Sequence, residues 1–223
     1  MMKRLLSEWW YSFNFAINYM IYTFGFGLKT RGVDNMPQTG PVLIIANHES
    51  FLDPVGVGLA VRRRINYLAR KTLFKSKLFG SYLYSVGCVP VDQDGVAKEG
   101  LRQSIDIIKA GKPMLIFPEG ERAWDGKMKP FKPGLLLILR KAPVTIVPVG
   151  VAGAHESYPR GASFPRLAPL FFPPNGASMA CSVGKPIPPE KYAGMEREQL
   201  LRFLFRAVHD EVDKAEKLRL KPR

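Results

Sequence analysis

A histidine and an aspartate lie five residues apart in the run Asn47-His48-Glu49-Ser50-Phe51-Leu52-Asp53, which follows directly on the apolar stretch Val42–Ala46. That stretch reads as a buried strand, so both side chains emerge together at its mouth. There the carboxylate can accept one imidazole N–H, fix the tautomer and leave the other ring nitrogen as a general base near neutral pH. The same residues also admit a plainer reading, in which His48 caps a turn and Asp53-Pro54 starts a helix. Ser50 lies close by, but no Gly-x-Ser-x-Gly elbow surrounds it, and it is not read as a nucleophile. A second charged stretch, Phe117-Pro118-Glu119-Gly120-Glu121-Arg122, again ends an apolar run, Met114–Phe117.

In this order, spacing and strand-end context, the two stretches resemble the glycerophospholipid acyltransferase family, in particular the lysophosphatidate acyltransferase group with its His-x-x-x-x-Asp signature. The resemblance covers roughly residues 32–190. It implies transfer of a fatty acyl group from a thioester to a glycerol hydroxyl, with His48 as base and Asp53 orienting it. The substrate hydroxyl then attacks directly, and no acyl-enzyme forms. It also implies that the second stretch binds the glycerol phosphate. Gly120 would let backbone approach the anion, and Arg122 would offer a planar fork to its oxygens. Glu119 cannot bind phosphate, so its implied job is to hold Arg or Lys side chains or to contact glycerol oxygens. Phe131-Lys132-Pro133-Gly134 matches the family's Phe-Lys-x-Gly feature and makes Lys132 a further phosphate contact. Val147-Pro148-Val149 matches a short fourth block.

Two positions depart from the pattern. Glu121 stands where Ser or Thr is usual and adds a negative charge. Gln93 stands where the family commonly carries a phosphate-binding Arg, a loss that Lys71 or Arg70 would compensate. No metal or resident cofactor is called for; the acyl donor, acyl-CoA or acyl carrier protein, is a co-substrate.

Charge agrees with an anionic partner. The net charge is +14. Between Asp53 and Asp92 there is no acidic residue, yet Arg62, Arg63, Arg64, Arg70, Lys71, Lys75 and Lys77 all fall there. Such a patch suits phosphate or an anionic membrane surface. It carries no recognised nucleic-acid motif, and nucleic acid is not expected as a partner. The two cysteines, Cys88 and Cys181, sit in apolar contexts and read as reduced, buried thiols.

Trp9 to Leu28 contains no charged residue and is rich in Trp, Tyr and Phe. As a helix it would reach ~30 Å. Asn14 and Asn18 share one face and the aromatics favour an interface, so an interfacial or re-entrant helix, a true span and an ordinary core helix are all open. Residues 1–31 are therefore set apart as a membrane-associating helical segment, and residues 32–223 as the acyltransferase domain.

Beyond residue 32, short apolar runs alternate with helical patterns. Strands are expected at Val42–Ala46, Asn66–Ala69, Val89–Val91, Met114–Phe117, Thr145–Val151 and Ala177–Val183. Helices are expected at Lys75–Ser85, Lys98–Lys109, Leu135–Lys141 and Glu196–Leu218, the last with an apolar stripe through Leu201, Leu204, Phe205, Val208, Val212 and Ala215. This alternation predicts an α/β domain with a mixed, largely parallel sheet covered by helices, and motifs far apart in sequence meeting at its strand ends. The expected protein acylates the sn-2 hydroxyl of 1-acyl-glycerol-3-phosphate to give phosphatidate, at the cytoplasmic face of the inner membrane. Alternatives are another lysolipid or amine-bearing acceptor, favoured by Gln93 and Glu121, or a non-catalytic binder of anionic lipid.

Overall fold

Val42–Ala46 (β2) has all five side chains buried and lies at the centre of the sheet. The structure, a computed structural model, describes residues 2–91 and 96–221. Around β2 are arranged strands Lys29–Arg31 (β1), Asn66–Arg70 (β3), Cys88–Val91 (β4), Met114–Ile116 (β5), Thr145–Ala152 (β6) and Ala180–Val183 (β7), in the order β1-β7-β6-β2-β5-β3-β4. Every neighbouring pair is parallel except β6 with β7, which is antiparallel. The sheet is thus mixed and largely parallel, as the alternation implies. With helices on both faces, its central strands carry unbroken apolar runs rather than an in–out alternation.

One face is covered by α1 (Met2–Phe26) and α2 (Asp53–Val61), whose Tyr22, Phe26, Val57 and Ala60 pack on Ile44, Val147, Val149 and Cys181. The other face carries α4 (Val96–Lys109), α5 (Gly134–Lys141) and α7 (Arg197–Arg219) over Leu43, Ile45, Met114 and Ile146. Helix α7 crosses β6 where only glycine fits. A Cβ at Gly150 would stand 2.1 Å from the carbonyl carbon of Glu211. The buried stripe of α7 runs through Leu200, Leu204, Val208, Glu211, Ala215 and Arg219, one edge over from the expected one. Glu211 disguises it: this carboxylate is buried because Ser182 and Lys214 both donate to it.

Other boundaries moved for local reasons. The helix expected from Lys75 begins at Lys77 (α3, Lys77–Ser85), because the Ser76 hydroxyl caps it by accepting from the Phe79 N–H; a tight turn at Lys71–Phe74 precedes it. Strand β7 starts at Ala180 because Asn175 and Ser178 close a side-chain turn on the residues before it. Strand β1, only three residues long, gave no periodic signal, and it pairs with β7 at Thr30↔Cys181.

Helix α1 is divided lengthwise. Tyr22 and Phe26 belong to the core, and the amides of Asn14 and Asn18 donate to the carbonyls of Trp10 and Asn14. The opposite side exposes Leu5, Leu6, Trp9, Phe13, Met20, Ile21 and Phe24. Among the described residues, no helix is long and apolar enough to cross a membrane.

Candidate active site

The C-terminal ends of β2, β5, β3 and β6 lie on one edge of the sheet, since all four run parallel. The loops leaving them bring together residues from four parts of the chain. The loop after β2 carries the expected pair. His48 Nδ1 lies 2.8 Å from Asp53 Oδ2. The same oxygen accepts the backbone N–H groups of Glu49 at 2.6 Å and Ser50 at 2.8 Å. Asp53 is fully buried, whereas the His48 side chain keeps 19% of its surface exposed. Asp53 also opens α2, with Pro54 behind it. The helix-start reading and the paired-ring reading are compatible in geometry, since one carboxylate gathers the loop and orients the ring.

A bonded Nδ1 leaves His48 Nε2 as the nitrogen that can meet a substrate proton. The ring is held from a second side by Phe117, stacked with centroids 4.0 Å apart and planes 15° from parallel. Glu119 does not touch the imidazole. Its Oε1 accepts the His48 backbone N–H and its Oε2 the Lys129 N–H, both at 2.8 Å. Burial raises its pKa, and those two N–H groups oppose the rise. In this geometry Glu119 clamps the two motif loops to each other.

Sequence reasoning passed over three residues that hold this corner. Asn47 donates to the Val151 carbonyl and accepts the Val151 N–H. Its amide also donates to Glu49, whose other oxygen receives the His155 N–H at 3.4 Å. Phe117 was legible only as the end of an apolar run. Ser50 is buried and donates to the Tyr158 carbonyl at 2.7 Å, which ties the catalytic loop to the segment after β6 and gives the hydroxyl a structural partner. His155 is half-buried, with Gly126 turned against its ring, and His209 stacks on Phe205 of α7.

Burial, reinforced by the charge of Asp53, holds the Glu49 carboxyl well above its ordinary value of 4.5. A carboxyl with a raised folded-state pKa stabilises the fold fully below the unfolded value, and that contribution fades as pH rises through the folded value. Glu49→Gln therefore has a defined expected outcome. Between about pH 5 and about pH 8 its melting temperature should improve relative to the wild type, whatever the offset at the acid end. A difference that does not change with pH would show that Glu49 is not held neutral.

The residues expected to bind an anion lie on the loops around this corner. The Arg122 guanidinium sits 3.5 Å from the Phe51 ring centroid and forms no ion pair with a carboxylate among the described residues. Burial lowers its pKa, and repulsion from Arg160 and Arg70 lowers it further. Gly120 adopts φ +76°, and a Cβ there would lie 2.8 Å from Lys132 Nζ, so glycine lets the Lys132 side chain cross the loop. Arg70 ends β3 and is exposed, and Lys71 begins the turn after it. Gln93 lies outside the described residues.

A buried Asp fixing one imidazole nitrogen, with a guanidinium and an ammonium group on adjoining loops, is an arrangement that can accept a hydroxyl proton and attract an anion. Comparison with known proteins agrees. The model of the Acyltransferase family matches residues 27–152, more than half of the chain, and the chain belongs to that family. It is 30% identical over 165 residues to a 1-acyl-sn-glycerol-3-phosphate acyltransferase of Chlamydomonas reinhardtii, covering 73% of this chain and 47% of that protein. A chloroplastic 1-acyl-sn-glycerol-3-phosphate acyltransferase of Brassica napus is 28% identical, with 63% of this chain and 41% of the relative covered. The chain thus spans less than half the length of these two relatives. With the Bacillus subtilis 1-acyl-sn-glycerol-3-phosphate acyltransferase the match is 23% identical but nearly end to end, 85% of this chain and 88% of that one. The fold is shared with the crystal structure of a 1-acyl-sn-glycerophosphate acyltransferase from Thermotoga maritima, at a TM-score of 0.68 and 24% identity over 88% of this chain and 73% of the other.

Proposed function

We propose that this chain transfers a fatty acyl group from an acyl thioester to the sn-2 hydroxyl of 1-acyl-glycerol-3-phosphate, forming phosphatidate. The observation that carries the reading is the His48–Asp53 pair, with Arg122 stacked on Phe51 of the same loop and Lys132 lying against Gly120. As the acceptor oxygen attacks the thioester carbonyl, its proton passes to His48 Nε2, and the carboxylate of Asp53 stabilises the imidazolium that forms. When the tetrahedral intermediate collapses, the carbon–sulfur bond breaks and His48 returns the proton to the leaving thiolate. Oxygen gains the acyl group, sulfur gains the proton, and the histidine ends as it began. Arg122 and Lys132, with Arg70 and Lys71 at the rim, take the acceptor phosphate. Glu119 and Gly120 set the loop that presents them.

The test is the purified chain with acyl-CoA and with acyl carrier protein thioesters against a panel of lysolipids. Phosphatidate should be the favoured product. Preference for an uncharged or amine-bearing acceptor would instead favour the second reading.

The same reading places the reaction at a membrane surface, with residues 1–31 making the contact at the cytoplasmic face of the inner membrane. The exposed apolar side of α1 is continued by Phe164, Leu167, Phe171 and Phe172, with Phe24 and Phe171 stacked at 6.0 Å and backbone bonds joining Ala168 and Leu170 to the end of α1. On its inward side, Tyr22 of α1 donates to the Leu52 carbonyl, so the helix that carries this surface is tied to the loop of His48 and Asp53. Not all of the basic run is left for headgroups. Arg63 binds the carbonyls of Pro37 and Gly40, and Arg64 binds Ser7 and Ser85 and covers Tyr11.

Because Tyr22 and Phe26 are core residues, removing α1 would open the core, and charge substitution is the cleaner probe. Trp9→Glu, Phe24→Glu and Phe171→Glu together should release the protein from anionic vesicles in flotation, since each apolar side chain withdrawn forfeits ~0.8 kcal/mol per buried CH₂. Undiminished flotation of the triple variant would place the contact elsewhere.

A further inference from the structure

Arg160 lies beyond the segment that the family model matches, in the loop that Ser50 ties to the catalytic turn. Its guanidinium lies 3.9 Å from the Trp124 ring centroid, 3.6 Å from Glu121 Oε2, and donates to the Arg122 carbonyl at 3.4 Å. Two residues before it, Tyr158 packs on Phe51, the ring that also carries the Arg122 guanidinium. Arg160 and Arg122 are thus two stacked, planar cations on neighbouring aromatic platforms, near enough that Arg160 contributes to lowering the pKa of Arg122. Two like charges held together in this way favour a shared anion between them.

Glu121 explains how the arrangement stands without one. Its two oxygens take different cations, Lys129 at 3.2 Å and Arg160 at 3.6 Å. Its pKa is lowered, first by Lys129, with Lys132 and Arg160 adding. The residue that looked like an intruding negative charge beside a phosphate site is already neutralised, and it holds Arg160 in place.

We propose that Arg160 is a substrate-binding residue that grips the acceptor's phosphate monoester together with Arg122, and that Glu121 is a positioning residue acting through it. The assignment rests on the acyl-transfer reading for its choice of acceptor over donor, but its anion-binding part can be tested without turnover. Three measurements on the whole chain of 223 residues decide it. The first is calorimetric titration with glycerol 3-phosphate. Arg160→Gln should weaken binding roughly 10-fold or more, the scale of a lost hydrogen bond to a charged group, and Arg122→Gln should do likewise. Equal affinity in wild type and Arg160→Gln, or no binding by the wild type, overturns the proposal.

The second is steady-state kinetics with each substrate varied. Arg160→Gln should raise the KM for 1-acyl-glycerol-3-phosphate by a similar factor, while kcat and the KM for the thioester stay within about threefold. A rise confined to the thioester KM would mean that the anion belongs to the donor and would overturn the assignment to the acceptor. If glycerol 3-phosphate binding follows the expected pattern but no lysolipid is acylated, the anion seat stands and the proposed function fails.

The third is a double-mutant cycle. Glu121→Gln should weaken acceptor binding severalfold, and Glu121→Gln combined with Arg160→Gln should be no worse than Arg160→Gln alone. Tighter binding on removing Glu121, the outcome expected of a merely repulsive charge, would overturn its positioning role.

Discussion

His48→Ala is expected to lower kcat by about 10²–10⁴-fold, equivalent to about 3–5 kcal/mol of barrier, with the fold and membrane contact unchanged. The size follows from losing the base that the proposed mechanism assigns to the acceptor's proton as the carbon–oxygen bond forms. The fold should survive because its bonds at this residue are made by backbone: the His48 N–H donates to Glu119, and its carbonyl accepts from Ala123. The substitution removes the stack on Phe117 and the bond to Asp53 Oδ2, which keeps its two backbone donors from Glu49 and Ser50. Circular dichroism and vesicle flotation check the second half, and single-turnover acyl transfer the first. Turnover within tenfold of wild type would remove His48 from the role of base.

Asp53→Asn separates two duties that one carboxylate performs. Oδ2 is held by two backbone N–H groups, from Glu49 and Ser50, besides the imidazole. An asparagine oxygen can accept all three, so the loop and the histidine tautomer should be preserved. The charge is what disappears. An uncompensated imidazolium should then cost most of the activity, of the order of 10²–10⁴-fold, while acceptor affinity and melting temperature move little. Asp53→Ala, which releases the backbone donors as well, should destabilise the fold by about 1–3 kcal/mol for each buried donor left unpaired. If Asn and Ala variants were equally unstable, the carboxylate would be acting chiefly through its charge on the fold.

These expectations were readable in the chain to unequal degrees. The pair itself was legible, since His48 and Asp53 follow an apolar run long enough to be a strand and short enough to deliver both to its end. The α/β architecture was legible for the same reason, in runs such as Val42–Ala46 and Thr145–Ala152 whose neighbours have helical spacing. The identity of the clamp was not. Glu119 read as a holder of Arg or Lys side chains or a contact for glycerol oxygens, because nothing local says that its oxygens face the backbone of residues 48 and 129. Glu121 looked out of place because its partners lie at Lys129 and, further off, at Arg160, and a sequence shows no distance across a loop. Helix α1 was ambiguous because an uncharged aromatic stretch carries no mark of which side will pack; Tyr22 and Phe26 turned inward, Trp9 and Phe24 outward.

Strand β2 ends at Ala46, yet its pairing with β6 goes one step further through the side chain of Asn47, whose amide exchanges two hydrogen bonds with Val151. A side chain there occupies the rung that main chain would have filled, and main chain is set free to turn toward Asp53. The turn consequently cannot peel away by itself, because doing so strips both partners from a buried amide in the middle of the sheet. Its opening belongs to the slow, global breathing of the whole domain and not to the quick fraying of a surface loop. On the proposed mechanism, the base would thus stand assembled before either substrate arrives.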